Sequence, residues 1–209
     1  MRSPKEHPGD TERVKTPGVL AVIVGGALAL YPVLMYFSRT HLETRGMALI
    51  LVALCASRLI TMRVAGTSPA AGAFSPALLL PICIGSIALA LLSIWRGSPQ
   101  AMLYYPVLVN AALLAMFARS IVDPPTIVER IARATTRDVP AEATPYLRHV
   151  TIAWSVFFVC NGTVAFLTAT KTSFQTWAFY NGFLAYVLIG AMFGAEFLIR
   201  IRVMKKLRK

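Results

Sequence analysis

Six apolar runs, Gly18–Phe37, Gly46–Ala65, Pro76–Trp95, Ala101–Ala118, Val150–Ala169 and Trp177–Ile199, fill most of the 209 residues and decide the solvent in which this chain folds. A helix rising about 1.5 Å per residue needs about 20 apolar residues to cross a hydrocarbon core of roughly 30 Å. Four of the runs meet that need without a formal charge; Arg58 interrupts the second, and Glu196 lies near the end of the sixth. Backbone groups in lipid find no water, so a crossing segment must be a helix or part of a closed barrel. None of the runs alternates in polarity as barrel strands do. The expected fold class is therefore all-α: a polytopic membrane bundle of six transmembrane helices over 18–199. Residues 1–17 are expected to form a mobile polar tail, 119–149 a polar connector with an amphipathic element, and 200–209 a basic tail.

Composition agrees, because 56% hydrophobic and 14% charged residues lie outside the range of ordinary soluble domains. The net charge of +12 does not point to nucleic acid, since no stacking platform or binding motif accompanies it. Its placement matters more than its size. Seventeen of the 21 Lys and Arg fall in the N-terminal tail, around Arg58, in the connector and in the C-terminal tail, leaving Arg39, Arg45, Arg96 and Lys171 for the other side. Cytoplasmic loops carry such an excess, so both termini are expected in the cytoplasm, which requires an even number of crossings. Arg200, Arg202, Lys205, Lys206, Arg208 and Lys209 should rest on anionic headgroups. Ala27-Leu28-Ala29 has the form of a signal-peptidase site, but the apolar run continues past it to Phe37, and no cleavage is expected.

Catalytic signatures are sparse. Cys55, Cys83 and Cys160 all fall inside apolar runs and are expected to act as small packing residues, with neither disulfide nor metal spacing. The three histidines, His7, His41 and His149, share no helix face, and HExxH, GxSxG and Walker motifs are missing. No catalytic residue, metal or cofactor is assigned.

Polar residues inside the runs are therefore the candidate binding positions. Ser86, Asn110 and Asn161 lie at mid-depth, either as a pocket for a polar headgroup or, the favoured reading, as a clamp between helices. Tyr31, Tyr105, Tyr180 and Asn181 form an outer layer, and Arg58 and Glu196 an inner one. Arg58 and Glu196 can pair, with Arg200, four residues on, as the competing partner of Glu196. Tyr36, Trp95, Tyr104, Tyr105, Trp177 and Tyr180 are expected in the interfacial aromatic belt. Pro81 and Pro106 are expected to kink their helices. Gly190-x-x-x-Gly194 is a close-approach pattern, assigned first to packing within the bundle and second to a dimer.

In the connector, Thr126 and Glu129 fit a capping box, Ile127, Val128 and Ile131 form one apolar face, and Glu129 is spaced to pair with Arg133. A short helix, Thr126–Thr135, follows. It is an ordinary capped connector, or else it presents Arg130 and Arg133 to the membrane surface or a partner. Tyr31-Pro32-Val33-Leu34 recurs as Tyr105-Pro106-Val107-Leu108, an echo too short to establish an inverted repeat.

Several segments carry a resemblance to a known family: Tyr105-Pro106-Val107-Leu108-Val109-Asn110, Pro124–Arg133, Val150-Thr151-Ile152-Ala153-Trp154, Phe157-Phe158, Asn161-Gly162 and Trp177–Gly182. From about Leu28 to Leu198 the chain resembles uncharacterised bacterial inner-membrane proteins encoded in gene clusters for aryl-polyene, xanthomonadin-like or fatty-acid-like synthesis. The resemblance implies a Gram-negative inner membrane and an association with carrier-bound acyl chemistry, and it supplies no catalytic residue. Three functions follow in order of preference. The first is a non-catalytic anchor that organises soluble acyl-chain enzymes or an acyl carrier protein. The second is a transporter or flippase for an amphiphilic product, and the third an integral membrane transferase.

Overall fold

A computed structural model describes residues 30–38, 44–65, 76–135 and 139–207, and every regular element among them is helical. The elements are α1 (Tyr31–Ser38), α2 (Thr44–Ala65), α3 (Pro76–Arg96), a 3₁₀ turn (Pro99–Tyr104), α4 (Tyr105–Val122) and α5 (Ile127–Thr135). A second 3₁₀ turn (Ala141–Ala143) leads into α6 (Thr144–Lys171), followed by α7 (Phe174–Phe179), a π-helical turn (Tyr180–Leu184) and α8 (Ala185–Leu207).

By length and composition, three helical stretches can cross a membrane: Pro99–Val122, Ala141–Lys171 and Phe174–Val203. The chain is accordingly a helical membrane protein. Two shorter apolar stretches, Arg45–Ser57 and Leu80–Arg96, lie within α2 and α3. Of the first apolar run only the end from Leu30 onward is described; the expected tail at 1–17 and the Ala27-Leu28-Ala29 motif lie outside the described residues.

Two helix pairs dominate the packing. One is α4 against α6, the other α2 against α3, and α3 also packs on α4 to join the pairs. Their shared core runs from Tyr31, Met47, Leu51 and Cys55 through Cys83, Ala90 and Met102 to Trp177. Phe117, Trp154 and Phe158 form a second cluster nearer the connector.

Turn chemistry follows the sequence closely. Gly97, with φ of 62°, ends α3 in the left-handed conformation that costs glycine little. Ser98 then caps the 3₁₀ turn by accepting from Gln100 N. Pro106 sits in the first turn of α4, where its missing amide has no helical acceptor to lose, so the expected kink does not arise there. Pro81 lies inside α3.

The connector is shorter than expected, because α4 runs on to Val122 and α6 begins at Thr144. Thr126 caps α5 by accepting from Glu129 N at 3.4 Å, and Glu129 binds Arg133 at 2.7 Å rather than closing the box. The buried face differs from the expected one. Ile127, Glu129 and Ala132 are buried, while Ile131 faces out. The cause is α6, against which α5 folds and which covers its Ile127–Ala132 side. This helix is a packed, capped connector.

Trp177 also departs from its expected place. It is fully buried, whereas Trp95 is 80% exposed as a belt residue should be. The Trp177 indole N–H donates to the Leu103 carbonyl at 2.9 Å, which satisfies its polar edge inside the protein and removes the need for an interfacial position.

Candidate functional site

Two polar clusters lie within the apolar bundle. The first exists because Gly162 lets α4 and α6 approach: a Cβ at 162 would stand 3.1 Å from Asn110 Cβ. In that gap Asn161 Nδ2 donates to Asn110 Oδ1 at 3.0 Å, and Asn110 Nδ2 donates to the Pro106 carbonyl at 2.8 Å. The hydroxyl of Tyr180 reaches across from the π turn and donates to Asn161 Oδ1 at 2.9 Å. Its neighbour Asn181 donates to Thr168 Oγ1 at 3.1 Å and to the Trp177 carbonyl at 2.9 Å. With more residues per turn than an α-helix, the π turn lets two successive side chains address α6 together. Asn110, Asn161 and Asn181 are all buried. Their groups bond one another, so the cluster fastens α4, α6 and the π turn; each such bond between membrane helices contributes about 0.6–2 kcal/mol.

The second cluster brings together residues that sequence reasoning kept apart. Tyr31 and Tyr105 meet edge to face with ring centroids 4.9 Å apart. Beside them Cys55 of α2 and Cys83 of α3 come together, the Cys83 thiol donating to the Cys55 carbonyl at 3.9 Å. Ser86 donates to the Ile82 carbonyl of its own helix at 2.6 Å, so its proton is not shared with the asparagines. Tyr31 is 2% exposed and its hydroxyl has no hydrogen-bond partner among the described residues, an arrangement that costs about 1–3 kcal/mol. The packing role expected of the cysteines fits Cys55 and Cys83, which are buried in the shared core, whereas Cys160 is exposed on α6. The legible signal was depth. Cys55 and Cys83 lie ten and seven residues from the facing ends of consecutive antiparallel runs, within about one helical turn of the same level.

The remaining candidates are dispersed. Glu196 is half-buried and forms no ion pair with Arg200 among the described residues. Tyr146 instead donates to the Glu196 backbone carbonyl at 3.3 Å. Arg58 lies in α2, but its side chain, and with it the proposed pair with Glu196, falls outside the described residues. Arg130 is held at home, Nε donating to the Pro125 carbonyl at 2.8 Å and Nη2 to the Asp123 carbonyl at 3.4 Å. Arg133 is tied to Glu129. Arg202 and Lys205 are exposed and Arg200 half-buried on the continuous α8, so this part of the expected tail is helical; the Lys206 side chain, Arg208 and Lys209 lie outside the described residues. No described residue comes within 4 Å of a Cβ built at Gly190 or Gly194, against the expectation that this face packs within the bundle. The reason is geometric: α8 turns Tyr186, Ile189, Met192 and Glu196 inward, and both glycines fall on the other side.

Comparison with protein-family models, with curated proteins and with solved structures returns no match.

Proposed function

We propose that this chain is a six-span inner-membrane protein of a bacterium, with both termini cytoplasmic, that anchors and organises soluble acyl-chain enzymes or their acidic carrier protein without catalysing a reaction itself. The observation that carries this reading is the course of α8. It leaves the apolar span as one continuous helix and presents exposed Arg202 and Lys205 on a rigid extension that has no acidic residue after Glu196. A fixed array of cations suits a small acidic partner, because complementary charge raises the encounter rate and sets orientation. The asparagine cluster supports the same reading over transport, since its donors and acceptors are engaged with one another and hold helices together. Acyl chemistry enters through the resemblance in the Tyr105–Asn110, Pro124–Arg133 and Trp177–Gly182 segments.

The test uses the full chain in detergent or nanodiscs, with a purified acidic acyl carrier protein as probe. Substituting Arg202, Lys205, Lys206, Arg208 and Lys209 by Glu should weaken binding at least tenfold, and added salt should weaken the wild type in parallel. Unchanged binding, or none in the wild type, removes the proposal. Reporters fused at both termini should each read out cytoplasm, and opposite readings would overturn the topology.

A further inference from the structure

Helix α1 and the chain from α7 into the π turn lie side by side and leave an open cleft of about 280 Å³ between them. Val33 and Tyr36 form its α1 wall, and Phe179 and Phe183 belong to the other. Ala178 and Gly182 add a lining without bulk, and Gln175 begins the same stripe. Positions 175, 178, 179, 182 and 183 share one face because they recur at helical spacing.

The cleft has a polar end and an apolar end. Tyr36 stacks on Phe174 with ring centroids 6.4 Å apart, which brings it to the level of Gln175. Val33 meets the opposite end, where a Cβ at Gly182 would stand 3.4 Å from Val33 Cγ2. Gln175 and Phe183 are separated by about 12 Å along the helix axis. Phe174 opens a stretch long and apolar enough to cross a membrane. The polar end therefore lies where acyl chains meet headgroups, and the apolar end lies in hydrocarbon.

These features select the occupant. A molecule in the cleft must point its head toward Gln175 and its chain toward Phe183, as an amphiphile stands in that leaflet. Among the described residues no charged side chain lines the cleft, so the head it complements is uncharged. An amide and a phenol supply both donors and acceptors, which suit a carbonyl or a hydroxyl. The volume falls just below the roughly 300–1,000 Å³ of pockets for drug-sized ligands, room for one chain and not for a two-chain lipid.

We propose that this cleft binds a single acyl chain with an uncharged hydrogen-bonding head (an ester, an amide or an alcohol) held by Gln175 and Tyr36. The site is separate from the docking surface on α8. The Glu variant of that tail should bind the chain as the wild type does, so the two readings fail independently.

The test uses the full-length protein in nanodiscs with a medium-chain fatty amide carrying a diazirine near its methyl end, photolysed and mapped by peptide mass spectrometry. Phe166 and Leu167 of α6 are the control, because they are also exposed and Phe166 lies as far from the end of α6 as Phe179 lies from the start of α7. Labelling of Phe179 and Phe183 should exceed the control about tenfold and saturate with unlabelled amide. Gln175→Leu, at an exposed position, should weaken that saturation about three- to tenfold, the worth of one neutral hydrogen bond. Val33→Trp should fill the cleft and remove the excess while Phe166 labels as before. Equal labelling of cleft and control overturns the proposal, as does an excess that a two-chain phospholipid competes equally well or that survives Val33→Trp in a folded protein. Where Val33→Trp fails to fold, Gln175→Leu decides, and saturation unchanged from the wild type overturns the site.

Discussion

The stretches Ala141–Lys171, which holds α6, and Phe174–Val203, which holds α7, the π turn and most of α8, are nearly equal in length and mean hydropathy, yet they live in different surroundings. In their apolar windows 28% of the first and 6% of the second is buried within the protein. Apolar content therefore does not choose a helix's neighbours in a membrane, since lipid tails are as apolar as leucine. What distinguishes α6 is Gly162, which permits contact, together with Asn161 and Thr168, which bond outward to α4, to Tyr180 and to Asn181. The second stretch shares this chemistry only at its start, up to Leu184. Past Ala185 it offers mostly Val, Leu, Phe and Gly to its surroundings, and Ile189, Met192, the contact of Phe193 with Trp154 at 4.7 Å and the Tyr146–Glu196 bond tie it back.

The contrast breaks most visibly at Trp177. Its replacement by Ala empties an enclosed site and strands the Leu103 carbonyl, and should cost about 3–5 kcal/mol in a reversible unfolding titration in bicelles. Trp95→Ala, on an 80% exposed residue, should stay within about 0.5 kcal/mol. Equal losses from the two substitutions would mean that enclosure does not govern stability here. Next in size is Gly162→Leu. Its branched side chain must displace Asn110 from a 3.1 Å gap, with an expected loss of about 1–3 kcal/mol and loss of the α4–α6 contact in pairwise crosslinking. An undisturbed crosslink would show that the helices do not depend on close approach. Asn161→Leu should cost about 0.6–2 kcal/mol, and a cycle with Tyr180→Phe should return a coupling between them; simple additivity would remove the hydrogen bond from the account.

How much of this was readable beforehand depends on whether a property is local. The presence of apolar helices follows from run length alone, and the Thr126 cap and Glu129–Arg133 pair from spacing within one turn. Asn110 and Asn161 could be matched by depth, because both lie near the middle of their runs. Neighbour relations could not. An indole near a helix start looks the same whether it meets headgroups or the Leu103 carbonyl, so Trp177 was placed in the belt. The π turn leaves no mark in residue type. Spacing puts Ile131 on the apolar face of α5 with Ile127 and Val128, and only the position of α6 turns Ala132 inward in its place.

The smallest effect belongs to the glycines of α8, and it is the most telling. Gly190 and Gly162 both lie in apolar helices, and a pattern search would score Gly190, with Gly194 one turn on, as the stronger packing signal. Gly190 nevertheless has no described residue within 4 Å of an added Cβ, while Gly162 has Asn110. Gly190→Leu should accordingly change stability by no more than about 0.5 kcal/mol, or raise it slightly, because a leucine facing lipid loses nothing and favours the helix. A loss comparable to that of Gly162→Leu would show that this face is covered. The substitution would then be repeated across a range of protein-to-detergent ratios. A cost that disappears on dilution identifies a second copy as the cover, and one that persists places the cover within the same chain.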